Sequence, residues 1–295
     1  MGYIIKIMLK TYFHLLRIDQ WVKNTFLFIP LFFAGDFFKS TKLLDLLIGF
    51  ISFSLIASSI YIFNDYRDRE NDRKHPKKKY RPIASGKVST TIAFGIMTLC
   101  LITGLALGYF LDYRFIILLL IYLLINITYS LGLKQVAILD MIMVSSGFVI
   151  RVIAGGVISH VPLSQWLIVM VYLLSLFIVL AKRRDDVYHY TVSGNLTRQS
   201  VTNYNLEYMT ATLVLISGVI IVSYLMYCLS PNANIQSEHL YATSLFVISG
   251  ILRYLQITIV DNKSGSPTRI LYKDKFSVVN LILWVISFYI IIYTS

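Results

Sequence analysis

Acidic residues are scarce in this chain. There are 15 Asp plus Glu in 295 residues against 27 Lys plus Arg, and charged residues of both signs make only 14%. Soluble globular domains carry about 25%, so the composition excludes that class. Only six prolines occur, which leaves long helices uninterrupted. It also gives little of the Gly/Pro-broken pattern that marks many transporters. Cys100 and Cys228 stand far apart in apolar runs, with no C-x-x-C and no H-E-x-x-H. Thiol redox and zinc motifs are therefore absent, and no disulfide is needed. The five histidines form no ligand pattern. No polar linker or low-complexity stretch divides the chain. The mildly basic, apolar start through Lys10 lacks a following small-residue cleavage site, so no removable signal peptide is expected.

What remains is apolar, at 57% hydrophobic. A bilayer-crossing helix needs about 20 such residues. Runs near that length fall at 22–38, 43–63, 90–111, 113–131, 137–158, 163–181, 209–229, 240–260 and 276–294. The expectation is an all-α integral membrane protein, a bundle of about nine transmembrane helices forming one polytopic domain over 1–295. The first run contains Pro30 and is short. The net charge of +12 is no nucleic-acid signal, because the cations sit in short segments between apolar runs. With the N-terminus in the cytoplasm, 22 of the 27 Lys plus Arg lie on the cytoplasmic side: the N-terminal segment and loops 64–88, 131–136, 182–208 and 261–275. Lys39, Lys42 and Arg114 lie opposite, and Arg151 and Arg253 fall inside spans. That asymmetry sets the orientation; the expected location is the plasma (inner) membrane.

The segment Asn64-Asp65-Tyr66-Arg67-Asp68-Arg69-Glu70-Asn71-Asp72 directly follows one apolar run. Asp65, Asp68 and Asp72 are spaced three and four apart, so on a helix they share one face. Three stacked carboxylates repel one another unless a cation sits among them. Hard oxygen ligands favour Mg²⁺, which keeps waters and bridges carboxylates to substrate phosphates. Lys77, Lys78, Lys79 and Arg81 follow. Acids for a metal and then cations for phosphate point to a diphosphate substrate at the membrane face. The competing expectation is a solvated helix on which Arg67, Arg69 and Arg73 pair with the acids.

This motif, with Arg81-Pro82-Ile83-Ala84-Ser85-Gly86 after it, resembles the UbiA superfamily of intramembrane prenyltransferases. Three further segments resemble its decaprenyl-phosphate phosphoribosyltransferase branch. They are Arg17-Ile18-Asp19-Gln20-Trp21-Val22-Lys23-Asn24; Tyr129-Ser130-Leu131-Gly132-Leu133-Lys134 with Asp140 and Gly147 to Arg151; and Gly265-Ser266-Pro267-Thr268 with Lys273-Asp274. The resemblance spans nearly the whole chain. It departs from many superfamily members in one respect, because Asp140 stands alone where two or three acids are common. That fits a site where Lys134 meets a phosphate. Asp140 is otherwise explained as an acid at a helix N-terminus.

The resemblance implies transfer of 5-phosphoribosyl from phosphoribosyl diphosphate to a polyprenyl phosphate, with release of diphosphate. Mg²⁺ would rest on Asp65, Asp68 and Asp72. Asp65, Asp68, Asp72, Lys134 and Asp140 form the implied catalytic set. Gln20, Lys23, Asn24, Asn64, Lys77, Lys78, Lys79, Arg81, Tyr129, Arg151, Lys182 and Arg183 form the substrate-binding set. A homo-oligomer is compatible with this, and nucleic acid is not implied. The alternative within the superfamily moves a prenyl group to an aromatic acceptor; the alternative outside it is a transporter or lipid-binding scaffold. Arg151 lies eleven residues past Asp140, about 16 Å along a helix, which favours a buried acid or carbonyl as its partner. Arg253 is placed to snorkel. In Lys182-Arg183-Arg184-Asp185-Asp186, adjacent acids point apart, which argues against a joint metal site. Single cysteines placed in 64–88, 182–208 and 261–275 are expected to resist membrane-impermeant labelling from outside intact cells. Labelling of any one would reverse the orientation.

Overall fold

The computed structural model describes residues 2–35, 40–194, 199–230, 239–265, 270 and 273–293. These residues are helical nearly throughout. The helices are α1 Gly2–Leu15, α2 Ile29–Phe33, α3 Ser40–Lys74, α4 Thr90–Tyr109, α5 Tyr113–Leu131, α6 Leu139–Ser159, α7 Gln165–Ser193, α8 Leu206–Leu229, α9 Ser244–Ile259 and α10 Lys275–Tyr293. Local chemistry sets several boundaries. Ser89 caps α4 by accepting from Ile92 N at 3.3 Å, and Asn205 caps α8 by accepting from Tyr208 N at 2.7 Å. Gly194, with φ +68, ends α7 in the left-handed conformation that glycine adopts without strain.

Among the described residues, seven helical segments are long and apolar enough to cross a membrane, rather than nine. An eighth, Lys275–Ile291, is apolar but shorter. The run at 22–38 is not one α-helix. Ile18–Phe28 is a 3₁₀ stretch, followed by the five-residue α2. Pro30 lacks an N–H to donate and is tolerated only near a helix start, so a single helix cannot run through it. Two segments expected as loops begin as helix. α3 continues through the aspartate motif to Lys74, and α7 continues to Ser193. Ser266, Pro267 and Thr268 of the last motif lie outside the described residues.

The chain divides into two compact units. The first contains residues 1–32, 36–131 and 150–162, and the second contains 33–35, 132–149 and 163–295. In the first unit, α4 turns a strip of small residues inward: Ala93, Cys100, Gly104 and Gly108. Without a hydrophobic driving force in lipid, helices associate where small residues let backbones approach. Ser52 Oγ of α3 donates to the Gly104 carbonyl at 2.7 Å. Buried serines continue along α3, and Ser58 Oγ donates to the Leu16 carbonyl at 2.7 Å. At Gly155 of α6 an added Cβ would strike the Leu27 carbonyl.

In the second unit, Leu173, Phe177, Leu180, Met209, Leu213, Ile220, Tyr254 and Ile257 form the core from α7, α8 and α9. Arg184 ties these helices together, donating to Thr210 Oγ1 at 3.0 Å, the Thr258 carbonyl at 2.6 Å and Asn262 Oδ1 at 2.9 Å. In both units large apolar side chains also face outward, among them Leu99, Ile102, Leu124, Leu215, Val222 and Leu245. Lipid is the solvent that suits such a surface.

Gly155→Ala is expected to lower stability by about 1–3 kcal/mol through overpacking. Gly95→Ala, whose Cβ meets nothing within 4 Å, should be neutral or stabilising by about 0.5–1 kcal/mol. Unfolding of both variants in detergent checks the pair, and equal effects would refute the close approach.

Candidate active site

In the first unit, the last turns of α3 carry Asn64, Asp65, Asp68 and Asp72. Asp65 is 2% exposed and Asp72 3%. Their partners come from outside the helix. Arg17 pairs with Asp65, and Arg81 Nη1 lies 3.2 Å from Asp65 Oδ1 and 2.6 Å from Asp72 Oδ2. Two of the motif's own arginines are otherwise engaged. Arg69 stacks on Tyr66 at 4.2 Å and lies 3.4 Å from Glu70. Arg73 reaches Glu70 at 3.0 Å and the Ala84 carbonyl at 3.2 Å. The mixed-charge surface helix is therefore realised at Glu70, while Asp65 and Asp72 are buried and held by cations brought from elsewhere in the chain.

Arg17 sits between α1 and the 3₁₀ stretch at φ +49, ψ +49, with its guanidinium 4.8 Å over the Tyr61 ring. Arg81 follows a short 3₁₀ turn at Lys78–Tyr80. That turn is held by His75, whose Nδ1 accepts from the Lys77 and Lys78 N–H groups at 3.1 and 3.2 Å. Desolvation first, and then the charge of Lys78, disfavour protonation of His75, which suits an acceptor role. Lys77 and Lys79 are exposed and Lys78 is half-buried.

Gln20 donates to Asp19 at 2.6 Å. Asn24 uses both ends of its amide. Nδ2 donates to Ser54 at 2.8 Å, and Oδ1 accepts from Arg151 Nε at 2.7 Å. Arg151 also donates to Tyr122 OH at 2.9 Å and stacks over Phe53 and Tyr122 at 4.9 and 4.8 Å. The Asn24 amide oxygen is a carbonyl partner of the kind expected, and a phenol and two rings add to it. Asn24 thus supports a buried cation. Lys23 and Tyr129 are half-buried in this unit.

The remaining expected residues lie in the second unit. Asp140 and Arg183 form a buried ion pair, and Arg183 Nη1 also holds Asp186 at 2.9 Å. Ser200 Oγ lies 3.4 Å from Asp140 Oδ2. Ile138, two residues before Asp140, has φ +67, unusual for a β-branched residue. Its N–H donates to Tyr204 OH. Asp140 is therefore the buried counter-ion of Arg183, beyond any role at a helix end. Its Oδ1 and Arg183 Nε are buried without a hydrogen-bond partner.

Lys134 is half-buried on its own turn, and Lys182 is exposed. Asp185 and Asp186 do point apart. Asp186 meets Arg183, whereas Asp185 accepts from the backbone of Ser264 and Gly265 and lies 3.5 Å from His189. Arg253 pairs with Asp274 at 2.6 Å instead of snorkelling alone. Its hydrogen bonds hold the Asp274 carboxyl well below the usual carboxylate range. Arg17, Ser200 and Tyr204 were missed as site residues. Arg17 opens the R-x-x-Q-W segment, but charge counting assigns it only to topology.

Among the described residues, no three His, Cys, Asp or Glu side chains form a ready metal cage. The donor set nevertheless fits a hard divalent cation. Asn64 Oδ1 is buried without a hydrogen-bond partner, and beside it in sequence stand three carboxylates on one helix. Mg²⁺ is commonly bound by one or two carboxylates plus substrate phosphates rather than by a complete protein cage.

The UbiA prenyltransferase family model matches residues 25–281. The chain belongs to this family. It is 32% identical over 281 residues to the decaprenyl-phosphate phosphoribosyltransferase of Mycolicibacterium smegmatis, covering 91% of this chain and 88% of that one. The enzyme of the same name from Corynebacterium glutamicum is 30% identical over 284 residues, covering 94% and 85%. A 4-hydroxybenzoate octaprenyltransferase from Polynucleobacter asymbioticus is 28% identical over 161 residues, 54% of this chain. The fold matches a UbiA homolog from Archaeoglobus fulgidus bound to DMAPP and Mg²⁺, with TM-score 0.71, 19% identity, and 97% and 100% of the two chains covered.

Breaking the buried Asp140–Arg183 pair by Asp140→Leu or by Arg183→Met alone is expected to cost about 3–5 kcal/mol. Asp140→Leu with Arg183→Met should recover much of that, because both buried charges leave together. A double-mutant cycle in thermal unfolding reads the coupling. Additive effects would show that the two residues do not depend on each other.

Proposed function

We propose that this protein transfers a 5-phosphoribosyl group from phosphoribosyl diphosphate to a polyprenyl phosphate in the plasma membrane, with its acidic motif and basic loops at the cytoplasmic face. The observation that carries this reading is its likeness to phosphoribosyltransferases along nearly the whole chain. The prenyltransferase named above matches about half of it.

The chemistry is a substitution at the ribose anomeric carbon. The bond from C1 to the diphosphate oxygen breaks, and the electron pair leaves with diphosphate. A phosphate oxygen of the lipid forms the new bond to C1. A phosphate monoester already carries about −1.5 to −2 charge near pH 7, so the acceptor needs no strong general base. Mg²⁺ held by Asp65, Asp68 and Asp72, with Asn64 Oδ1 beside them, would supply charge neutralisation for the departing diphosphate. Arg81 and the lysines at 77–79 add fixed positive charge at the same end of α3. By the resemblance, Lys23, Lys134, Lys182 and Arg183 are the candidate cations for the remaining phosphates, and Gln20 and Tyr129 are candidate substrate contacts. Asn24 and Arg151 support the interior beneath. Catalysis rests on positioning and electrostatics rather than on proton transfer.

The test uses purified protein, Mg²⁺ and labelled phosphoribosyl diphosphate with polyprenyl phosphate. Prenyl diphosphate with an aromatic acid is run in parallel. Labelled ribose is expected in the lipid fraction, and Asp65→Asn or Asp68→Asn should slow transfer by about 10²–10³-fold. Prenyl transfer with no ribose transfer would decide for the other chemistry of the family.

A further inference from the structure

We propose that Arg17 is the resident counter-ion of Asp65 and passes to the donor's diphosphate when the divalent cation arrives, so that metal and diphosphate bind as a coupled pair. This deepens the phosphoribosyl-transfer reading and rests on it for the identity of the donor. It needs only the diphosphate that donors of either chemistry share.

The argument starts from burial. A carboxylate that is 2% exposed cannot stand without a cation, because breaking a buried pair leaves an uncompensated charge. Asp65 has two such partners, Arg17 and Arg81, and Arg81 is shared with Asp72. Asp65, Asp72, Arg17 and Arg81 together are neutral. A bare dication entering this cluster gains little, because guanidinium groups already occupy the carboxylates. A dication arriving with diphosphate meets a different balance. The metal takes the carboxylates, and the displaced guanidinium finds phosphate oxygens, which its planar fork binds with two parallel hydrogen bonds.

Of the two arginines, Arg17 has the freedom to make that exchange. Arg17 is no more exposed than Arg81, at 20% against 26%, and is set apart by what it holds. It serves one carboxylate, whereas Arg81 bridges two. It stands outside α3, at a left-handed residue where the backbone turns between two helices. The Tyr61 face 4.8 Å beneath its guanidinium gives a surface on which the cation can shift without losing its aromatic contact.

The consequence is a pair of effects with opposite sign. Removing Arg17 uncovers Asp65, so bare metal should bind more tightly. It also removes a ligand for diphosphate, so diphosphate in the presence of metal should bind more weakly. A residue that merely supports the fold would weaken both.

The experiment is calorimetry on the full chain in detergent. Mg²⁺ alone is titrated first, and then inorganic diphosphate at saturating Mg²⁺. For Arg17→Gln, Mg²⁺ alone is expected to bind about tenfold more tightly and diphosphate about tenfold more weakly. Arg17→Lys keeps the charge and loses the fork, so its Mg²⁺ affinity should stay within about threefold of wild type while diphosphate binding still falls. This second variant carries the test if the glutamine variant unfolds. Parallel weakening of both ligands, or no change in either, overturns the proposal. Failure of ribose transfer with the opposite-sign pattern intact would count against the donor assignment and leave the role of Arg17 standing.

Discussion

A carboxylate inside a membrane protein must be matched by a cation, and this requirement organises both units. In the first, Asp65 and Asp72 are buried at the end of α3 and draw Arg17 and Arg81 from two separate segments. In the second, Asp140 at the start of α6 draws Arg183 from α7. Each pair joins segments that no apolar periodicity would bring together. The desolvation cost of such pairs approaches or exceeds their attraction, so stability alone does not explain them. In the proposed function, the acids at the end of α3 would meet a metal and a polyphosphate with guanidinium groups already beside them.

The apolar scaffold makes that placement affordable in structural terms. Small residues on α4 and buried serines on α3 allow close helix contact and satisfy carbonyls and hydroxyls inside the unit. Arg151 is accommodated by polar and aromatic partners in the interior of the same unit. Asn24, Tyr122 and two aromatic faces accommodate a guanidinium that would be expensive in hydrocarbon. Fixing Asn24 in this way also fixes the 3₁₀ stretch that begins just after Arg17. The interior cation and the site at the end of α3 are therefore linked through one short segment of chain.

The membrane class, the all-helical fold and the shared face of the aspartates were legible in the sequence, because apolar run length and helical spacing are local properties. The first span was misjudged for a local reason as well. Pro30 and the polar residues before it favour a 3₁₀ stretch and a short helix over one continuous span. Pairings across long sequence distance were not legible. Arg17 and Asp65 are 48 residues apart, and Arg183 and Asp140 are 43 apart. Charge counting treats Arg17 and Arg183 as equivalent topology markers, and only packing distinguishes a buried arginine from an exposed lysine. The reading of Asp140 as a lone acid near a phosphate-binding lysine was incomplete for the same reason.

Burial also sorts the cations by what they can do. Arg17, Arg81, Arg151 and Arg183 are engaged with acids, amides or rings in this structure. Lys77 and Lys79 are exposed in the turn after α3, and Lys182 is exposed on α7. A lysine ammonium is a compact, strongly hydrated charge on a flexible stem, suited to attracting a polyanion from water. A guanidinium already held in place loses less freedom on binding and gives directional, bidentate contact. A phosphorylated, hydrophilic donor approaching from water would meet the lysines before the arginines. Its diphosphate would then compete with carboxylates for guanidinium groups that are in place beforehand. Under the proposed function, attraction would fall to the exposed lysines and positioning to the arginines that the buried carboxylates hold.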